Sequence, residues 1–174
     1  MSEQELPKII AVDCNFLVAA QSDKTGDDNA ARIKHLFSLA EKRRSKLVIP
    51  MPALAEYLVG ADVAGNDWVN TLARKSTIVL APFDLAAAHE CALLDRGAFQ
   101  SGDKRDGMKE PWQKVKIDRQ IVAIARAVGA KLIISNDKGV RANAARAFIS
   151  AKCIEDLELP ESAKQLNIDL AQPK

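Results

Sequence analysis

Short, fully apolar runs alternate with longer segments of helical period along this chain, and no hairpin signal separates them. The first run is Ile9-Ile10-Ala11-Val12, stopped by Asp13. Apolar residues in unbroken succession suit strands buried on both faces, as in a parallel sheet. Further runs occupy Lys46–Pro50, Thr77–Leu80, Lys131–Ser135 and Ala151–Ile154. Between them the spacing predicts helices over Phe16–Ala20, from Asp27 and Asp28 to Arg44, Pro52–Gly60 and Asp62–Arg74. Three more are predicted over Asp84–Gly97, Trp112–Val128 and Asp137–Ile149. Pro52 stands in a first turn, where proline is tolerated, and Gly129 stands where a helix C-cap is expected. Gln21–Thr25 with Gly26 reads as a polar turn, and Phe99–Pro111 as the long irregular stretch. The expected fold is α/β, a central parallel sheet covered by helices on both faces. One domain is expected over residues 1–155, followed by an acidic tail over 156–174.

Composition narrows the function classes. A formal net charge of +2 on 174 residues gives no global basic field, so any nucleic-acid footprint must be local. Cys14, Cys91 and Cys153 are odd in number, form no CxxC pair and lie among apolar residues. They read as reduced, buried thiols of a cytoplasmic protein. Met1–Pro7 is polar and acidic, unlike a signal peptide, and no apolar run approaches the roughly 18 residues of a membrane span. With only His35 and His89, a histidine-rich zinc site is excluded. No Gly-x-Ser-x-Gly elbow supports serine hydrolysis.

Four acids stand where folding alone explains them poorly. Asp13 ends the first strand, either as a helix N-cap or as a ligand outside the strand ends. Glu56 interrupts the apolar helical run Ala53–Val59, on an inward face or on an exposed edge. Asp118 falls on the stripe Val115, Asp118, Val122, Ala125, where an unpaired carboxylate is costly. An ion pair with Lys114 or Arg119 is its bland alternative. Asp137 follows the fourth strand with Ser135 and Asn136 before it, as a ligand or as an N-cap. Taken together, two acids end parallel strands and two sit on inward helix faces, so they can converge on one edge of the sheet. Carboxylates at ~4 Å repel by about 4 kcal/mol per pair at an effective dielectric near 20, so a cation must neutralise them. Oxygen donors without Cys or His suit Mg²⁺ or Mn²⁺.

The ordered motifs Val12-Asp13-Cys14-Asn15-Phe16-Leu17, Pro52-Ala53-Leu54-Ala55-Glu56-Tyr57-Leu58, Lys116-Ile117-Asp118-Arg119-Gln120-Ile121-Val122-Ala123-Ile124-Ala125 and Ile133-Ile134-Ser135-Asn136-Asp137 carry a resemblance. Over about residues 8–155 the chain resembles the PIN-domain ribonucleases, the family that includes VapC-type toxins. The resemblance implies a three-layer α/β/α fold, Mg²⁺ or Mn²⁺ dependence and endonucleolytic RNA cleavage. It assigns metal binding and catalysis to Asp13, Glu56, Asp118 and Asp137, with Ser135 and Asn15 in support. It further implies a type II toxin with an antitoxin partner, and a homodimer as a common state. Extra length around Gly60–Arg74 and Phe99–Pro111 sets this chain apart from compact VapC-like toxins.

RNA requires cations near such a site. Lys104, Arg105, Lys109, Lys114, Lys116 and Arg119 gather around the long loop, with Trp112 as a surface for an unpaired base. Asp103, Asp106 and Glu110 are interleaved, which equally suits a solvated loop. The competing reading is a PIN-like module that binds RNA or protein without cutting. Asn15, where a haloacid-dehalogenase-type phosphatase needs a second Asp, argues against that class.

Overall fold

The computed structural model describes residues 6–21 and 28–164. The turn expected at 22–26, the start of the second helix at Asp27, and the tail from 165 onward lie outside the described residues. Five strands form one parallel sheet: β1 (Ile9–Val12), β2 (Lys46–Pro50), β3 (Ile78–Ala81), β4 (Leu132–Ile134) and β5 (Ser150–Lys152), in the order β3-β2-β1-β4-β5. The helices are α1 (Cys14–Ala20), α2 (Asp28–Arg43), α3 (Met51–Gly60), α4 (Val63–Ala73), α5 (Leu85–Gln100), α6 (Trp112–Ala127) and α7 (Lys138–Arg146). A 3-10 turn, Ile154–Asp156, follows β5.

The strands' apolar succession is divided between the two faces of the sheet. Ile10, Val12, Leu47, Ile49, Leu132 and Ile134 pack with Phe16, Leu17, Ile33 and Leu36 of α1 and α2. Their in-between neighbours Ala11 and Ile133 pack with Ile121, Val122, Val140 and Ala144 of α6 and α7, and Val48 packs with Ile124. This is the period-2 rule of a pleated strand with both faces buried. The expected three-layer α/β/α architecture is therefore the observed one.

Chain order places the chemistry. From β1 the chain moves outward to β2 and β3, then returns to β4 on the other flank of β1. The order reverses between β1 and β4, and crevices at such reversals are where ligands sit in open α/β sheets. Asp13 and Ser135 are the first residues past these two strands. The pairing is close there: Asp13 N donates to the Ile134 carbonyl at 3.2 Å.

Several boundaries move. The helix expected to end near Gly97 continues to Gln100, so the irregular stretch is 101–111. That loop is anchored. Asp103 accepts from the backbone of Arg105 at 2.9 Å and of Gly107 at 2.8 Å. Arg146 of α7 donates to the Asp106 carbonyl at 2.9 Å and pairs with its carboxylate. Past α6, Gly129 turns the chain at φ +78°, the left-handed conformation that favours glycine at a helix end. Ile154 and Leu157, beyond β5, join the core. The three cysteines are free, but each is half-buried rather than buried. Cys14 opens α1 and Cys153 follows β5, while Cys91 lies mid-α5 beside the exposed Ala92 and Leu93. Among the described residues, no helix is long and apolar enough to cross a membrane.

Candidate metal centre

Asp13 fills the helix-capping role its position allowed. It is the N-cap of α1, with Oδ1 accepting from Cys14 N at 2.6 Å. Its Oδ2 accepts from the Ser135 hydroxyl at 2.7 Å across the β1–β4 gap. Ser135 is fully buried, and its Oγ in turn accepts from Asp137 N at 3.0 Å. One hydroxyl thus ties the first acid to the last. Burial raises the pKa of Asp13 and the charge of Asp137 adds to this, against the two hydrogen bonds that lower it.

Asp137 caps α7, with Oδ1 accepting from Gly139 N at 2.7 Å and Val140 N at 3.3 Å. Its Oδ2 takes Lys114 Nζ at 2.7 Å. Burial pushes this carboxyl up, but the hydrogen bond and charge of Lys114 and the two N–H donors outweigh it and hold the pKa below the ordinary value.

Asp118 faces inward from α6 and is 2% exposed. Its Oδ1 takes the same ammonium, Lys114 Nζ, at 3.2 Å. Its Oδ2 is buried with no hydrogen-bond partner. A buried charged oxygen without a partner is expensive and calls for a cation or a proton. Burial first, and the charges of Asp137 and Asp13 after it, raise its pKa to about 6 despite Lys114. The carboxylate approaches the backbone of α7 closely: a Cβ at Gly139 would meet Oδ2 at 2.3 Å.

Glu56 is a correction. The apolar run around it suggested an inward face, yet it is exposed on α3, and Ala53, Leu54 and Tyr57 take the buried positions. It stands at the lip of the crevice. Its pKa is raised by partial burial, then by Asp13, and Asp137 contributes. Cys14 feels two of these charges: burial, then Asp13 and Glu56, push its thiol up to about 11. Asn15 is half-buried, and its Oδ1 accepts from Asn136 N at 3.1 Å, which clamps the α1 start to the β4 end.

The four acids therefore lie within electrostatic reach of one another at the ends of β1 and β4, and Lys114 is a cation that acts on all of them. The donor set is oxygen only, and Asp118 offers an unpartnered oxygen, which fits a hard divalent ion. Among the described residues, no three acid, Cys or His side chains form a finished cage. Lys114 stands between two of the carboxylates instead.

Of the cations expected to meet RNA, Lys114 belongs to this centre and Arg119 does not. Arg119 is not a surface cation: it is 1% exposed, pairs with Asp95 of α5 at 2.7 Å and lies 5.5 Å from the Trp112 ring centroid. It falls on the α5 side of α6, while Lys114 and Asp118 face α7, because α6 has helices on both flanks. Trp112 is half-buried, edge-on to Phe99 at 6.3 Å, with Lys104 Nζ at 5.3 Å from its centroid. Lys104, Arg105 and Lys109 are exposed. An open cleft of about 600 Å³ is lined by Phe99, Gly102, Asp103, Lys104, Arg105 and Trp112.

Lys114 was named in sequence as an ion-pair partner of Asp118 and as an RNA cation, but its reach to Asp137 was not legible. One residue of the centre was missed. Gly139 carried no signal beyond standing two residues after an acid.

No protein-family model and no curated protein matches the chain. Solved structures do. VapBC2 from Rickettsia felis, bound to a DNA fragment from its promoter, is similar with a TM-score of 0.58 at 15% identity, over 83% of this chain and 98% of that one. DNA-bound VapBC from Salmonella typhimurium is similar with a TM-score of 0.54 at 17% identity, over 85% of this chain and 99% of that one. At such identities the likeness concerns the backbone, and with the sheet order and helix layers it shows that this chain has the PIN-domain fold of VapC.

Proposed function

We propose that the chain is a metal-dependent endoribonuclease that hydrolyses RNA phosphodiester bonds, and the toxin of a type II toxin–antitoxin pair. The observation that carries this reading is the buried, unpartnered Oδ2 of Asp118 in a crevice shared with Asp13 and Asp137. The VapBC likeness supports the toxin assignment and a small antitoxin as partner.

Asp13, Asp118 and Asp137 would hold Mg²⁺ or Mn²⁺, with Glu56 completing the set from the lip. A bound ion would supply an activated water and neutralise charge on the leaving oxygen. The chain's own part is positioning. Ser135 fixes the Asp13 carboxylate, the α7 N-terminus fixes Asp137, and Asn15 locks the two strand ends together. Lys104, Arg105 and Lys109 are the exposed cations available to an RNA backbone.

The test is cleavage of RNA by the purified chain with Mn²⁺, Mg²⁺ or EDTA, with the cut ends mapped. Cleavage that needs the ion and is lost in Asp13→Asn supports the reading. An Asp13→Asn protein cutting at the wild-type rate refutes it.

One observation favours a non-catalytic module that binds RNA or protein: no three-ligand cage is formed and Lys114 bridges Asp118 and Asp137. Mn²⁺ titration by thermal shift separates the two. Stabilisation that disappears in Asp13→Asn belongs to the nuclease; its absence belongs to the module.

A further inference from the structure

We propose that the Lys114 ammonium is a built-in placeholder for the divalent ion, holding Asp118 and Asp137 together until the ion displaces it. The inference rests on the nuclease reading above. Lys114 Nζ touches Asp118 Oδ1 at 3.2 Å and Asp137 Oδ2 at 2.7 Å, so one cation joins an acid of α6 to the cap of α7. An ammonium has donors and no acceptor, and it is a compact point charge. Those are the properties by which it imitates a bound metal ion toward carboxylates.

The location argues that helix stability is not its purpose. Lys114 lies in the first turn of α6, after Pro111, where the positive end of the helix dipole disfavours a cation. A Lys four residues before an acid is also the weaker order for an i,i+4 pair. Both penalties are accepted where two carboxylates need a counter-charge. The side chain is 41% exposed, so the flexible stem has a path to solvent when the ammonium leaves. The ammonium reaches only Oδ1 of Asp118; Oδ2 is buried against α7 without a hydrogen-bond partner, so the carboxylate keeps an unmet demand for positive charge.

The consequence is a weak affinity for metal set by this competition. Isothermal titration of Mn²⁺ into the full chain tests it, comparing wild type, Lys114→Met and Lys138→Met. Lys138 is exposed beside Asp137 in sequence and removes the same charge without the bridge. Lys114→Met is expected to bind Mn²⁺ about tenfold tighter or more, the equivalent of one lost charge-assisted hydrogen bond. Its melting temperature should fall in EDTA and rise further than wild type with Mn²⁺. Lys138→Met should stay within about twofold of wild type, since a screened surface charge does little. Wild-type affinity in Lys114→Met, or an equal gain in Lys138→Met, overturns the proposal. Should the methionine variant fail to fold, Lys114→Gln makes the same comparison. Mn²⁺ binding by wild type that Asp13→Asn abolishes, with Lys114→Met unchanged, defeats this inference alone. No Mn²⁺ binding by any of these proteins defeats the nuclease reading and the inference with it.

Discussion

Replacing Gly139 by alanine sets two effects of opposite sign against each other. Gly139 is the second residue of α7, and alanine there should favour the helix by up to about 1 kcal/mol. The new Cβ would, however, lie 2.3 Å from Asp118 Oδ2 and 3.1 Å from Asp137 Oδ1. The Asp118 oxygen must retreat by about 1.1 Å or more to reach ordinary contact. It is 2% exposed on a helix buried over most of its length, so there is little room to yield. Overpacking a tight interior costs typically ~1–3 kcal/mol, which exceeds the helix gain. Gly139→Ala should therefore lose about 1–2 kcal/mol in urea denaturation. A displacement near 1 Å at a reacting group can cost about 100-fold, so RNA cleavage should fall by that order while the fold persists. The assay pairs urea unfolding with cleavage rates at saturating Mn²⁺. A Gly139→Ala protein more stable than wild type and cutting at the wild-type rate would refute the argument that Asp118 is pressed against α7.

Ser135→Ala should strip the Asp13 carboxylate of its side-chain donor, raise its pKa further and destabilise the fold by about 1.5–3 kcal/mol, read by carboxyl NMR titration and denaturation. Arg119→Met should leave Asp95 unpaired, remove the guanidinium from the Trp112 ring and lower the melting temperature beyond a typical surface substitution; an unchanged melting point would show that this pair is not needed. Lys104→Ala/Arg105→Ala/Lys109→Ala should weaken RNA binding and reduce the salt slope by about 2, following the single-strand slope of roughly 0.7 per phosphate contact. An unchanged slope would mark the loop as solvated surface. In EDTA, Asp118 binds its proton more tightly folded than unfolded, with a folded pKa of about 6 against 3.8. Its contribution is full below about pH 4 and lost as pH rises through 6, so wild type should lose stability relative to Asp118→Asn over that window.

The layers of this molecule were legible because unbroken apolar runs have few homes. Ile10, Ala11 and Val12 bury side chains on alternate faces, which only a covered parallel sheet satisfies. The same runs end at Asp13 and Ser135, so two corners of the crevice were set by local sequence. Glu56 was misread because a 3.6-residue period tells which residues share a face, and not how deep that face lies. Arg119 was misread because its burial depends on Asp95 and Trp112, brought together only when α5 packs on α6. Local chemistry determined the acids and the strands that carry them. Tertiary packing alone decided that Lys114 should bridge Asp118 to Asp137 and that Gly139 should make room, because both depend on α6 meeting α7, a contact between segments more than twenty residues apart.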